Sequence, residues 1–94
     1  MARALDRNAV DAILDQFDED EDPSRALADL LDRRGAWDWS DGSEHEPSDR
    51  LAIIESTGAV WLVYRGTEPD SARRYGSRAE ARAALQEQTE RVSG

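Results

Sequence analysis

Between Leu51 and Arg65 the chain reads LAIIESTGAVWLVYR, two short apolar runs separated by Ser56-Thr57-Gly58. β-Branched and aromatic residues on either side of a short glycine-containing break are the sequence form of a β-hairpin. A two-residue Thr57-Gly58 loop would pair Ser56 with Ala59, Glu55 with Val60, Ile54 with Trp61, Ile53 with Leu62, Ala52 with Val63 and Leu51 with Tyr64. Alternation then puts Ala52, Ile54, Trp61 and Val63 on one face and Leu51, Ile53, Val60, Leu62 and Tyr64 on the other. A three-residue loop with Gly58 in a bulge would shift the register by one residue, and both faces would stay apolar. A sheet with one wet side would be polar at every second position, so this hairpin requires cover on both. Helices from the two ends of the chain can cover one face. More chain or a second subunit is needed for the other, and a homodimer is one expected solution.

Upstream, Val10, Ile13, Leu14 and Phe17 recur at helical spacing, which predicts a helix from Asp6 or Asn8 to Phe17. The acidic run Asp18 to Asp22 turns the chain. Asp22-Pro23 caps a second helix, whose stripe is Leu27, Leu30 and Leu31 and whose stop is Gly35. In Ala36 to Ser40, AWDWS, period-two alternation predicts a short edge strand with Trp37 and Trp39 on one face. Asp41 to Asp49 holds turn residues and acids and reads as an exposed loop. Ala72-Arg73-Arg74-Tyr75 is a candidate fourth strand. Ser77 and Glu80 then form a capping box for a last helix with Ala81, Ala84, Leu85, Gln88 and Val92 on its inner face. The expected fold class is a single α+β domain over residues 1 to 94. Its antiparallel sheet has three or four strands built on the 51–65 hairpin, with an N-terminal αα-hairpin and a C-terminal helix.

Charge divides the chain. Residues 1 to 49 hold 15 acids against 5 arginines and residues 50 to 94 hold 6 against 7, which together make the net charge of -9. Every basic residue is Arg. A GC-rich genome or adaptation to high salt explains such a composition without any partner, and a basic partner explains it through binding. With no Cys there is no disulfide framework, thiol nucleophile or cysteine zinc site. No apolar run approaches the roughly 18 to 20 residues of a membrane span, and no signal peptide is apparent at the start. A cytoplasmic protein that does not enter membranes is the expectation.

Several groups of residues carry chemistry worth weighing. Asp18, Asp20 and Asp22 open like a calcium loop, but the sixth position, which needs glycine, is Pro23, and the twelfth, which needs a bidentate Glu, is Asp29. We read a solvated acidic turn and no metal site. His45, between Glu44 and Glu46, is the single histidine; it has no companion nitrogen ligand and no oriented nucleophile. No catalytic residue and no cofactor are expected, so the chain is not read as an enzyme. Arg73, Arg74, Arg78 and Arg82, with Arg65 nearby, gather in sequence around the start of the last helix and form a candidate anion site. Overall negative charge argues against nucleic acid, and pairing with the acidic half is the plainer fate of these arginines. Trp37 and Trp39 are candidates for an exposed recognition surface.

The functional expectation is therefore a small acidic, non-enzymatic protein-interaction or inhibitor-like module. It would meet a partner of basic character through Trp37, Trp39, Asp18, Asp20 and Asp22. The alternative is a phosphate- or nucleic-acid-binding domain using Arg73, Arg74, Arg78 and Arg82.

Overall fold

Asp6 opens the first helix by accepting the Asn8 amide on its side chain (3.0 Å), and α1 runs Arg7–Leu14. In the computed structural model, which describes residues 6–42 and 47–93, α1 stops three residues short of the expected Phe17. Its last turn has no basic residue, and Asp15 and Asp18 bring negative charge to the negative end of its dipole. The chain tightens there, with the amides of Gln16 and Phe17 reaching back three residues, to the carbonyls of Ile13 and Leu14.

The second helix, α2 (Ser24–Arg34), has Pro23 at its N-cap and ends on Gly35 in the left-handed region (φ 59°), where Arg33 and Arg34 complement the dipole. Four strands follow: β1 (Trp39–Gly42), β2 (Pro47–Ser56), β3 (Ala59–Arg65) and β4 (Ser71–Tyr75), and then α3 (Arg78–Ser93). Ser77 caps α3 by accepting the Glu80 amide on its hydroxyl (3.2 Å). The order ααββββα and the single antiparallel sheet, β1-β2-β3-β4, match the α+β expectation and include the fourth strand.

Pairing across β2 and β3 follows the two-residue loop, from Ser56 with Ala59 to Leu51 with Tyr64, and continues to Arg50 with Arg65. Gly58 takes a positive φ (81°), which the tight turn requires. The expected exposed loop from Asp41 to Asp49 is shorter than its composition suggests. Strand pairing reaches into it, with Asp41 opposite Asp49 and Gly42 opposite Pro47. His45, with Glu44 and Glu46, lies outside the described residues.

Helices from the two ends of the chain lie on opposite faces of the sheet. This corrects the expectation that they share one. The first face buries Ala52, Ile54 and Val63 against Val10 of α1 and Leu27, Ala28, Leu30 and Leu31 of α2. The second buries Leu51, Leu62 and Tyr64, with Ala84 and Leu85 of α3 packed on them. On the first face α1 packs over β2 and leucine-rich α2 over β3 and β4, whereas alanine-rich α3, with Ala81 fully buried, lies close on the bulky row Leu51, Leu62 and Tyr64. A second subunit is not needed to cover either face.

The two tryptophans also separate. β1 starts at Trp39, and the chain bends at Asp38, so strand alternation does not extend back to Trp37. Trp37 packs on the first core cluster and Trp39 on the second. Asp38 still binds the edge of β2: its amide donates to the Leu51 carbonyl (3.0 Å) and its carboxylate accepts the Ile53 amide (2.7 Å). No helix among the described residues is long and apolar enough to cross a membrane.

Candidate functional site

Two groups of acidic residues stand out, one paired with arginine and one without an arginine partner among the described residues. Arg65, at the end of β3, is the hub of the first. Its guanidinium meets Asp32 (2.6 Å) and Asp29 (2.8 Å) of α2 and Asp70 before β4 (2.8 Å). Arg50, its cross-strand neighbour, also binds Asp32 (2.9 Å) and lies 5.8 Å from the centre of the Trp37 ring. The Trp37 indole N–H donates to the same Asp32 carboxylate (2.7 Å). Burial raises the Asp32 pKa, but the Trp37 hydrogen bond and the two guanidiniums outweigh it and hold the carboxyl below its ordinary range. The Asp70 pairing leads a further rise in the already high pKa of Arg65. Trp37 is thus a structural member of an ion-pair network joining α2 to the sheet.

At the far end of the hairpin Asp11 of α1 accepts both the amide (2.9 Å) and the hydroxyl (2.6 Å) of Thr57, and these bonds lower its pKa. This clamp fastens α1 to the turn between β2 and β3. Glu55 is held by Arg78 (2.8 Å) and more loosely by Arg7 (3.7 Å). The expected Asp22 cap is instead a turn just before the Pro23 N-cap, in which the Asp22 carboxylate accepts from the Ser24 amide (3.0 Å) and hydroxyl.

The second group is the turn between α1 and α2. Asp18, Glu19, Asp20 and Glu21 are exposed and form no ion pair among the described residues. Of these four, Glu21 folds back to accept the Asp18 amide (3.1 Å). Beside this turn lies a groove of about 390 Å³, floored by Leu14, Phe17, Pro23 and Trp61, with Asp18, Glu19 and Glu21 on its rim and Arg74 also lining it. Trp61 is anchored there by its indole N–H, which donates to the Ser56 hydroxyl (3.0 Å). Phe17, the single phenylalanine of the chain, is half-buried yet belongs to neither core cluster. Helical periodicity had assigned Phe17 to the core stripe. The early end of α1 releases it to the groove, and the acidic run that follows is the one sequence signal for that ending.

A larger cavity, about 460 Å³, opens between the sheet and α3, where Asp49, Tyr64, Thr67, Arg73, Tyr75 and Arg91 are among its lining residues. Its buried carboxylate is already engaged. Asp49 accepts from the Tyr64 hydroxyl and from the amide of Thr67 (3.3 Å), while the Tyr64 oxygen accepts the Glu68 amide (3.2 Å). Burial and the Asp49 bond push the Tyr64 phenol above its ordinary pKa. This arrangement shapes the β3–β4 connection.

The candidate anion residues do not share one face. Arg73 and Arg74 are consecutive in β4 and so project to opposite faces of the sheet. Arg78 is engaged by Glu55, and Arg82 is exposed on α3. Among the described residues no group of three or more His, Cys, Asp or Glu side chains is placed to hold a metal ion. Comparison with protein-family models, with curated proteins and with solved structures gives no match to the chain.

Proposed function

We propose that the protein is a non-enzymatic interaction module that docks a partner of basic character through the turn between α1 and α2. One observation carries this reading. Asp29, Asp32, Asp70 and Glu55 are paired with arginine, whereas Asp18, Glu19 and Asp20 are exposed, make no ion pair among the described residues although Arg74 lines the adjoining groove, and stand together at one corner. A cluster of like charges repels itself and gains most when an opposite charge arrives. Masking a basic surface on another protein, as an inhibitor does, is the concrete form of this role. Asp18 and Asp20 would contact the partner. Asp22, bound to Ser24 at the entry of α2, would fix the end of this turn, while Trp37, in the Asp32 network at the other end of the hairpin, and Trp39, on the second core cluster, lie away from it.

Titration with a short polyarginine peptide at low salt tests the reading. The expected result is saturable binding that weakens as salt rises and is lost in Asp18→Asn/Glu19→Gln/Asp20→Asn, three substitutions that leave the Asp22 turn intact. Unchanged binding by this variant would remove the proposal. Binding of a short oligonucleotide, lost on Arg73→Ala and Arg82→Ala, would support the alternative anion-binding role instead.

A further inference from the structure

The groove beside the acidic turn has a chemistry that the turn alone lacks. Its floor is apolar and partly aromatic: Leu14 and Phe17 from the end of α1, Pro23 at the start of α2 and Trp61 from β3. Three carboxylates, Asp18, Glu19 and Glu21, stand on its rim against one guanidinium, Arg74. The volume of about 390 Å³ falls within the range of pockets that hold ligand groups, enough for a large side chain to enter. Trp61 is fixed by its bond to Ser56 and by packing on the first core cluster, so one wall is preformed. Phe17, outside both clusters, adds a second aromatic surface to the groove.

Apolar floor and negative rim together select against two simpler occupants. An acidic segment meets repulsion at the rim, and a cationic side chain alone, though a guanidinium can stack on Trp61 or Phe17, would leave the aliphatic surface of Leu14 and Pro23 uncovered. A segment that inserts one apolar side chain and carries arginine or lysine on either side satisfies both parts at once. We infer that this groove takes such a segment of a partner protein, an apolar anchor flanked by cationic residues. The inference rests on the interaction reading above and adds to it the form of the partner.

The test uses the full chain and two short synthetic peptides of equal positive charge. One has leucine at its centre, the other has serine there, and neither contains tryptophan, so that the protein's own indole fluorescence and calorimetry report binding. The leucine peptide is expected to bind at least about tenfold more tightly, the gain from burying one aliphatic side chain. Phe17→Ser is expected to abolish that preference while leaving salt-sensitive binding of both peptides. Phe17→Leu is expected to restore the preference, which separates loss of the groove surface from misfolding. Equal affinity for the two peptides, or a preference unaffected by Phe17→Ser, would overturn the inference and leave the basic-partner reading standing. Failure of both peptides to bind at low salt would overturn both readings.

Discussion

Arg65 shows how much one residue can hold in a small domain. It touches two aspartates of α2 and one of the β3–β4 connection while itself mostly shielded from solvent. Arg65→Met keeps the stem and removes the charge, so three carboxylates lose a partner at once. The expected cost is about 3 kcal/mol, measured by urea denaturation. Asp32 gives the network a pH signature. Its folded pKa lies below the ordinary carboxylate value, so as pH falls the unfolded chain takes up this proton before the folded one does. The stabilisation is whole above about pH 4 and disappears as pH falls through the folded value. The stability difference between the native sequence and Asp32→Asn should therefore be constant near neutrality and shrink below about pH 4. At the same end of the sheet but on its opposite face, Tyr64→Phe removes the hydroxyl that donates to buried Asp49 and accepts from the Glu68 amide. About 1–3 kcal/mol should be lost, seen as a lower midpoint in the same urea experiment.

Among the elements, the packing of α3 is the most exposed to test. Ala81 is fully buried where α3 lies against the sheet, whereas Ala83 is exposed. Ala81→Leu should destabilise by about 1–3 kcal/mol through overpacking, and Ala83→Leu should change little. Equal effects would mean that α3 lies elsewhere. The strength of local signals decided how far the elements were legible in the sequence. The hairpin was legible because two strongly apolar strands flank a glycine-containing break, but its register was not, since Thr57-Gly58 suits a two-residue loop and a bulged three-residue loop alike; α2 was legible because its leucine stripe, Asp22-Pro23 and Gly35 mark one segment. The face chosen by α3 was not, since Ala81, Ala84 and Leu85 make a shallow stripe that fits many surfaces. Its seat, the row Leu51, Leu62 and Tyr64, is defined only once the strands pair. Trp37 and Trp39 misled because period-two alternation requires extended chain, and the bend at Asp38 breaks it after one residue. Of the candidate site, the acidic run was plain in the sequence. Its apolar neighbour was hidden, because Phe17 and Trp61 come together across 44 positions of the chain through the hairpin.

Over the whole molecule, layers and charge separate two questions that the composition joined. The second apolar face of the hairpin suggested a homodimer, and α3 supplies that cover from within the chain. A solution mass of one chain, 10.5 kDa, is expected at low and high salt alike, and sedimentation equilibrium would measure it. Some carboxylates hold the fold, through Arg50, Arg65 and Arg78 or through Thr57, Tyr64 and the Ile53 amide, whereas Asp18, Glu19 and Asp20 of the α1–α2 turn hold no described residue in this way. Salt should accordingly act on partner binding more than on stability, since the half-buried network is screened less than the exposed turn. The most direct measurement is an amide chemical-shift map recorded while the leucine-centred cationic peptide is added. The account predicts changes concentrated at Leu14 to Glu21, Ser56 to Trp61 and Arg74, with α3 unaffected. Changes centred on Arg73, Arg78 and Arg82, or none at saturating peptide, would contradict it.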